Sequence, residues 1–271
     1  MASLIHQTAV ISSEANLPSD TRIGPFAIID GQVNLGPGCV IGPHCQLIGP
    51  LTIGANNRFH AGCIIGDAPQ HLGYKGEATG LTIGDNNTFR EHVTIHRGMP
   101  KTEANPAAGE TRIGNRNFFM VGSHVAHDCR IGNSCIFANC AILGGHAIVQ
   151  DGAFLSGNTC VHQFCRVGRL AMISGTTSIS QDLPPFFIVQ EINIPRGVNV
   201  VGMRRAGIPN PEIQAVRRAY RFLNKQNLTV KEALEKIEAD GGELPVIQEL
   251  LGFIRESKRG IVTSGTIVED E

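Results

Sequence analysis

The chain has 271 residues and a formal net charge of −1. It is long enough to bury a core in one or two domains, and too nearly neutral to suggest nucleic acid or an anionic membrane as a bulk partner. Glycine is abundant at 32 residues, tryptophan is absent and 5% of residues are aromatic, which suits a chain that turns often and packs small or branched side chains.

The opening residues MASLIHQTAV lack the basic, apolar, small-residue order of a signal peptide. No run of about 18 apolar residues follows, so no membrane insertion is expected and a cytoplasmic location is the default. From Ile5 onward every sixth residue is apolar: Ile5, Ile11, Leu17, Ile23, Ile29 and so on to Ile65, then Ile83, Phe89 and Ile95, then Ile113 through Ile179. Of the 30 sixth positions from 5 to 179, all but four (71, 77, 101 and 107) hold Ile, Leu, Val or Phe. Neither an amphipathic helix nor a half-buried hairpin has that period. A sequence repeat of this kind predicts a solenoid with an apolar axis, of about ten coils at three hexads per coil.

A glycine often follows the apolar residue, as at Gly24, Gly36, Gly54, Gly114 and Gly132, and is expected to supply the unusual backbone angles of a corner. Two residues before the apolar position stands a small residue. Six of the eight cysteines, Cys39, Cys45, Cys63, Cys129, Cys135 and Cys165, occupy that slot. They read as small hydrophobes, not as disulfides or metal ligands.

Segments 67–80 and 98–111 interrupt the repeat. Ile65 and Ile83 are 18 apart, as are Ile95 and Ile113, so each interruption is expected to replace one coil. Interruptions of a solenoid become surface loops, often on the binding face.

Next comes FFMVGSHVAHDC, residues 118–129. At 18 residues per coil His127, Gly145 and Gln163 stack in one column, with His146 and His162 on the same edge and His124 three residues before His127. Downward the same count passes 109, Glu91 and 73. The cluster reads as exposed corner residues, as a metal site of three or more histidines, or as a neutral histidine base with hydrogen-bonding helpers. Spacing alone leaves these open.

The repeat stops near 186, which divides the chain into a solenoid of 1–186 and a linker with a helical domain of 187–271. NPEIQAVRRAYRFLNKQ predicts a helix with Asn210 as N-cap. TVKEALEKIEAD opens on a capping box, Thr229 and Glu232, and LPVIQELLGFIRESKRG predicts a third helix. The final TSGTIVEDE is expected to be a loose tail.

The hexads resemble those of the hexapeptide-repeat acyltransferases. That likeness implies an all-β solenoid, a left-handed parallel β-helix, against the usual handedness of crossovers. TIHRG (94–98), HVAHDC (124–129), GGHA (144–147), VHQF (161–164) and RGVNVVGMRR (196–205), with PQHLGYKGE (69–77) in the first loop, together resemble the UDP-N-acetylglucosamine 3-O-acyltransferase family over nearly the whole chain. The resemblance implies transfer of a 3-hydroxyacyl group from acyl carrier protein to the 3-hydroxyl of UDP-N-acetylglucosamine, the first committed step of lipid A synthesis. It further implies no cofactor, no metal, and a homotrimer with active sites between neighbouring prisms.

Carried over residue by residue, the resemblance makes His127 the general base, Asp128 its orienting partner and the Gly145 N–H the oxyanion donor. Adjacent strand residues point to opposite sides, so the sequence itself does not bring Asp128 to His127. Gln70, His71, His124, His146, His162 and Gln163 match groups contacting the sugar nucleotide or acyl chain, Asn199, Arg204 and Arg205 match uridine and diphosphate contacts, and Gly175 matches a ruler of acyl length. His71 and Gly73 stand where the family more often has Asp and Lys, Val201 where an acidic residue is common and Ala206 where a second Arg is common. A different UDP-amino sugar is therefore one alternative, and a noncatalytic trimeric scaffold another. Arg217, Arg218, Arg221 and Lys225 would form a basic helical face suited to an acidic carrier protein.

Overall fold

The computed structural model describes residues 4–103 and 105–264; beyond Ser264 the expected tail lies outside the described residues. The hexads form short parallel strands that wind into a three-faced prism, a left-handed parallel β-helix. Among the described residues the three ladders hold nine, seven and ten strands. They are named here for an outward residue: the His124 face (His124–Val125), the Arg130 face (Arg130–Ile131) and the Phe154 face (Phe154–Leu155). The His124 face has nine rungs, so the prism is nine coils rather than the expected ten.

From Ile23 on, outside the two loops, the inward residue of each hexad is the predicted one, whereas Ile5 is exposed. Phe59, Phe89, Phe119 and Phe137 stack with ring centroids 4.6–4.9 Å apart, and the six cysteines of the small slot are all fully buried and unpaired. Their thiols do more than fill space. Cys39, Cys129 and Cys135 each donate to the carbonyl fifteen residues on, at 3.2–3.3 Å. Asn57, Asn87 and Asn117 occupy the same slot and form an internal ladder. Each side-chain oxygen accepts the next coil's backbone N–H at 2.7–2.9 Å, which satisfies buried amides that would otherwise cost stability.

Two sequence expectations are corrected. Ile53 pairs with Ile83 and Ile83 with Ile113, 30 residues apart where an uninterrupted coil takes 18. Each loop is thus a twelve-residue insertion within a coil, not the replacement of one. The residue below His127 is therefore Arg97, whose N–H donates to the Asp67 carbonyl at 3.1 Å; Asp67 itself pairs with His96, where the register shifts by one. Glu91 lies at another corner, beside His60 and Arg90. Apart from Gly66, with φ of 87°, the glycines after the apolar residue are also not there for unusual angles. The left-handed residue comes two positions later: Phe26, His44, Asn56, Asn86, Asp128, His146 and Phe164 have φ of 56–65°. Those glycines are needed because the next coil lies against them. A Cβ on Gly36 would sit 2.5 Å from Gly54 C, and one on Gly114 2.5 Å from Gly132 O.

The last parallel rung, Phe187–Val189, pairs with Met172–Ile173, past the expected end of the solenoid at 186. Pro195–Val198 then returns antiparallel. Four helices follow among the described residues: α1 (Val200–Arg205), α2 (Asn210–Lys225), α3 (Val230–Gly241) and α4 (Pro245–Arg255). The cap of α2 is Pro209, one residue before the expected Asn210, and the Thr229–Glu232 capping box of α3 is present. The short α1 is not predicted from sequence. The helices close the end of the prism through Arg166, which bonds Asp182 at 2.8 Å and lies over Phe253, and through Arg169–Glu249 at 2.7 Å. No helix among the described residues is long and apolar enough to cross a membrane.

Candidate active site

The corner between the His124 and Arg130 faces gathers the histidines. Asp128 is left-handed, with φ of 59°. That turn swings its side chain back alongside His127 instead of to the opposite side, as a regular strand would. His127 Nδ1 and Asp128 Oδ2 are 2.8 Å apart. A carboxylate only accepts, so Nδ1 carries the proton and Nε2 presents a lone pair.

The second loop holds that carboxylate. The Met99 N–H donates to Oδ2 at 2.9 Å and the Gly109 N–H to Oδ1 at 2.8 Å, while the buried Thr111 hydroxyl accepts the Asp128 N–H at 2.8 Å. Burial alone raises the Asp128 pKa. The hydrogen bonds from His127, Met99 and Gly109, with the nearby His146, outweigh burial and hold it below the ordinary carboxylate value. The carboxylate is ionised at neutral pH although its side chain is 1% exposed.

One coil above, Gly145 leaves room for the His127 ring. A Cβ there would stand 2.7 Å from ring Cε1 and Nε2. Among the described residues no acceptor takes the Gly145 N–H, so a backbone donor stands free beside the free nitrogen of His127. His146 meets His127 edge to face at 5.1 Å and stacks on Phe164 at 4.5 Å, and Asn105 of the second loop reaches its Nε2 at 3.2 Å. From the first loop, His71 meets His127 edge to face at 5.6 Å. By the corrected register the first loop reaches His127, and the second reaches Asp128 and His146 beside it.

His124 Nδ1 bonds the Thr94 hydroxyl at 2.8 Å, and the His124 ring packs at 4.8 Å against His96, which sequence reasoning placed in a motif but gave no role. Burial, with His96 adding to it, lowers His124 to about 4. His96 is lowered by burial, against the pull of Asp67, and His146 by burial, with Asp128 opposing and His127 and His71 adding.

His162 and Gln163 lie on the coil above Gly144 and Gly145, exposed at the same edge; His162 Nδ1 approaches the Gln163 carbonyl at 3.1 Å. Gln70 is exposed in the first loop, next to His71. Asn199, Arg204 and Arg205 are elsewhere. The Asn199 side chain caps α1 by accepting from the Gly202 N–H and donates to the Leu170 carbonyl. That ties it to the corner between the Arg130 and Phe154 faces. Arg205 lines a cavity of about 640 Å³ floored by Ile136, Phe154, Met172 and Ile188 of the Phe154 face. Gly175 is exposed at the remaining corner. Its φ is not left-handed, and a Cβ there would meet only the Gly157 carbonyl, at 3.6 Å, so the backbone does not require glycine. The contacts that buttress Asp128, from Met99 and Gly109, carry no side-chain signal and were missed.

His127, Asp128 and His146 also bring ligating atoms within 4.8 Å of one another. Two ligands of a tetrahedral zinc at bonds of about 2.0 Å lie about 3.3 Å apart. The 2.8 Å between His127 and Asp128 is a hydrogen bond and is too short for that geometry, so the donor set fits a proton better than a metal ion.

Comparisons with known proteins bear on this corner. Residues 182–262 match the family described as UDP N-acetylglucosamine O-acyltransferase, domain 2, and residues 110–145 the bacterial transferase hexapeptide (six repeats) family. The chain is 42% identical over 259 residues to an acyl-[acyl-carrier-protein]–UDP-N-acetylglucosamine O-acyltransferase of Halorhodospira halophila, covering 95% of this chain and 98% of that one. Among solved structures it resembles the UDP-N-acetylglucosamine acyltransferase of Francisella novicida, with a TM-score of 0.89, 36% identity and 95% and 93% of the two chains covered. It likewise resembles that of Bacteroides fragilis, with a TM-score of 0.88, 39% identity and 95% and 99% covered.

Proposed function

The chain belongs to the acyl-[acyl-carrier-protein]–UDP-N-acetylglucosamine O-acyltransferase family and is an acyltransferase; from that premise we propose that it moves a 3-hydroxyacyl group from acyl carrier protein to the 3-hydroxyl of UDP-N-acetylglucosamine, the step that opens lipid A synthesis. The observation that carries this reading is the His127–Asp128 pair at 2.8 Å with an unused backbone donor, Gly145 N–H, beside it. His127 Nε2 takes the proton of the sugar hydroxyl as the oxygen attacks the thioester carbonyl. The Gly145 N–H donates to the oxyanion of the tetrahedral intermediate. Collapse expels the carrier-protein thiolate, which takes the proton back from His127. Asp128 keeps the ring in the required tautomer and stabilises its cationic form. The thioester is already activated, so no cofactor is called for.

Gln70, His71, His124, His146, His162 and Gln163 are the proposed sugar and acyl contacts, supported for His71 and His146 by their rings against His127. Asn199, Arg204 and Arg205 sit on a different edge of the same prism, so they join His127 only across an interface between copies. That arrangement supports a homotrimer with shared sites. The Asn199 side chain already caps α1, so its part is to set the pitch of that helix, with the two arginines as the diphosphate contacts. The exposed Arg217, Arg221 and Lys225 lie along one side of α2 and suit an acidic carrier protein. Arg218 is engaged with Asp240 at 2.6 Å.

Gly175 is the proposed acyl ruler, because its glycine has no backbone reason. Gly175→Met is expected to shift the ratio of kcat/KM toward donors several carbons shorter, each excluded methylene being worth about 0.8 kcal/mol; an unchanged ratio places the ruler elsewhere. The reading as a whole is tested by acyl transfer from carrier proteins of several chain lengths to a panel of UDP-sugars, including one with an amino group at C3. His71 beside His127 favours including that analogue, since it offers a ring nitrogen where the family more often has a carboxylate. Transfer to none of the panel defeats the reading.

A further inference from the structure

Arg97 stands directly below His127 in the corrected column, and its side chain leaves the prism for the first loop. Nε donates to the Tyr74 hydroxyl at 3.0 Å, and the guanidinium lies 5.6 Å from the centre of that ring. Nη1 donates to the carbonyls of Gly66, at 3.1 Å, and Gly49, at 3.3 Å, which are prism residues of the coils below. The Tyr74 hydroxyl passes the contact on by donating to the Glu77 carbonyl at 2.7 Å, and the Tyr74 N–H donates to the His71 carbonyl at 3.0 Å. One cation therefore ties three points of the first loop to the rigid coils beneath the reacting histidine.

The loop's own geometry delivers His71 from that anchor. The Gly73 N–H donates to His71 Nδ1 at 3.0 Å, which puts the neutral ring's proton on Nε2. A Cβ at position 73 would come within 3.1 Å of Nδ1 and 3.2 Å of Cε1, so the missing side chain lets the ring turn toward His127. Without the anchor, an exposed loop whose backbone bonds are local has little to hold it.

We propose that Arg97 is a positioning residue: acting through Tyr74, it fastens the first loop so that His71 stands against His127 and fixes where the sugar acceptor binds, without touching the reacting atoms. This rests on the proposed sugar-facing role of the loop. It makes the binding of acceptor, not of acyl donor, depend on a residue that faces neither.

The test uses the full-length protein and two variants. Tyr74→Phe removes one hydroxyl and leaves the Gly49 and Gly66 contacts of Arg97 in place, so it stays folded even where Arg97→Met loses stability. In both, deuterium uptake in 67–80 is expected to rise at least tenfold in rate, with the prism coils unchanged. KM for UDP-N-acetylglucosamine is expected to rise about tenfold, with KM for the acyl carrier protein and kcat within about threefold. The double variant is expected to be no worse than Arg97→Met alone, because the two residues act in series. Unchanged exchange in the loop, or equal losses toward both substrates, or a fall in kcat at constant KM, overturns the proposal. If the wild type transfers nothing to UDP-N-acetylglucosamine, the functional reading has failed, and the exchange rates alone then decide whether Arg97 anchors the loop.

Discussion

Asp128 illustrates how one backbone angle makes a site. Its left-handed φ of 59° brings a carboxylate beside the preceding histidine, and two loop amides keep it charged while buried. His127→Ala makes no core cavity, since the ring sits at an outer corner; transfer should fall 10²–10⁴-fold with the fold retained. Asp128→Asn should lose a comparable factor, because an amide can donate to Nδ1 and trap the wrong tautomer; steady-state kinetics on the two variants, with retained rate in either, would remove that residue from the mechanism. His124 carries a separate consequence. Its folded pKa of about 4 lies below the ordinary 6.5, so between those values the unfolded chain binds a proton that the native chain does not. The associated stability is complete above pH 6.5 and is lost as the pH falls from there through about 4, by roughly 3 kcal/mol in total; His96 and His146 act in the same direction. Denaturant titrations at pH 7.5 and 5.0 should show a smaller loss for His124→Gln than for wild type. Equal losses would mean that His124 titrates normally.

The hexad is the element that the sequence displays most openly, and its slots differ in tolerance for reasons of contact. Cys135→Ala removes a fully buried thiol from a slot that holds alanine at 141, 147 and 153, with weak bonds to the Gln150 and Asn133 carbonyls lost; a cost of about 1–2 kcal/mol is expected. Gly114→Ala adds a single carbon, but 2.5 Å from a backbone oxygen of the next coil, and no rotamer relieves it; a cost of at least about 3 kcal/mol is expected. Thermal unfolding of the pair, with the alanine at 114 as mild as that at 135, would refute the close-packed role of the corner glycines. The inward face and the small slot were legible because they recur coil after coil with one chemistry, the inward position being Ile, Leu, Val or Phe at 26 of 30 places. The loops were not, because a twelve-residue insertion in a six-residue step gives the same spacing of 18, from Ile65 to Ile83, as one whole replaced coil. Only the pairing of Ile53 with Ile83 separates the two. The corner chemistry was half legible: His127 and Gly145 follow from the 18-residue column. The buttressing of Asp128 by the amides of Met99 and Gly109, and the anchoring of the first loop by Arg97, depend on where irregular backbone lies, which no periodicity encodes.

At the scale of the whole molecule the prism separates groups that the proposed reaction needs together. His127 belongs to the corner between the His124 and Arg130 faces, whereas Asn199 is fastened to Leu170 at the next corner and Arg205 overlooks the Phe154 face. A rigid stack of coils with an unbroken apolar core does not bend to bring two of its edges together, so on the proposed reading a complete site needs a second copy. In the proposed closed ring of three, each site would take His127 from one protomer and the arginines from its neighbour. Two dead proteins should then rescue one another. His127→Ala keeps good arginines, and an Arg204→Ala, Arg205→Ala double variant keeps a good His127. In trimers reassembled at random from equal amounts, a site is complete when a protomer with intact His127 meets, in the right order, one with intact arginines. Each condition holds for half of the protomers, so about a quarter of the sites and of the wild-type rate should return. Refolding the mixture from denaturant and assaying transfer measures this directly. No recovery beyond the sum of the separate residual activities would mean that each protomer completes its own site, and that the arginines serve something other than the acceptor bound at His127.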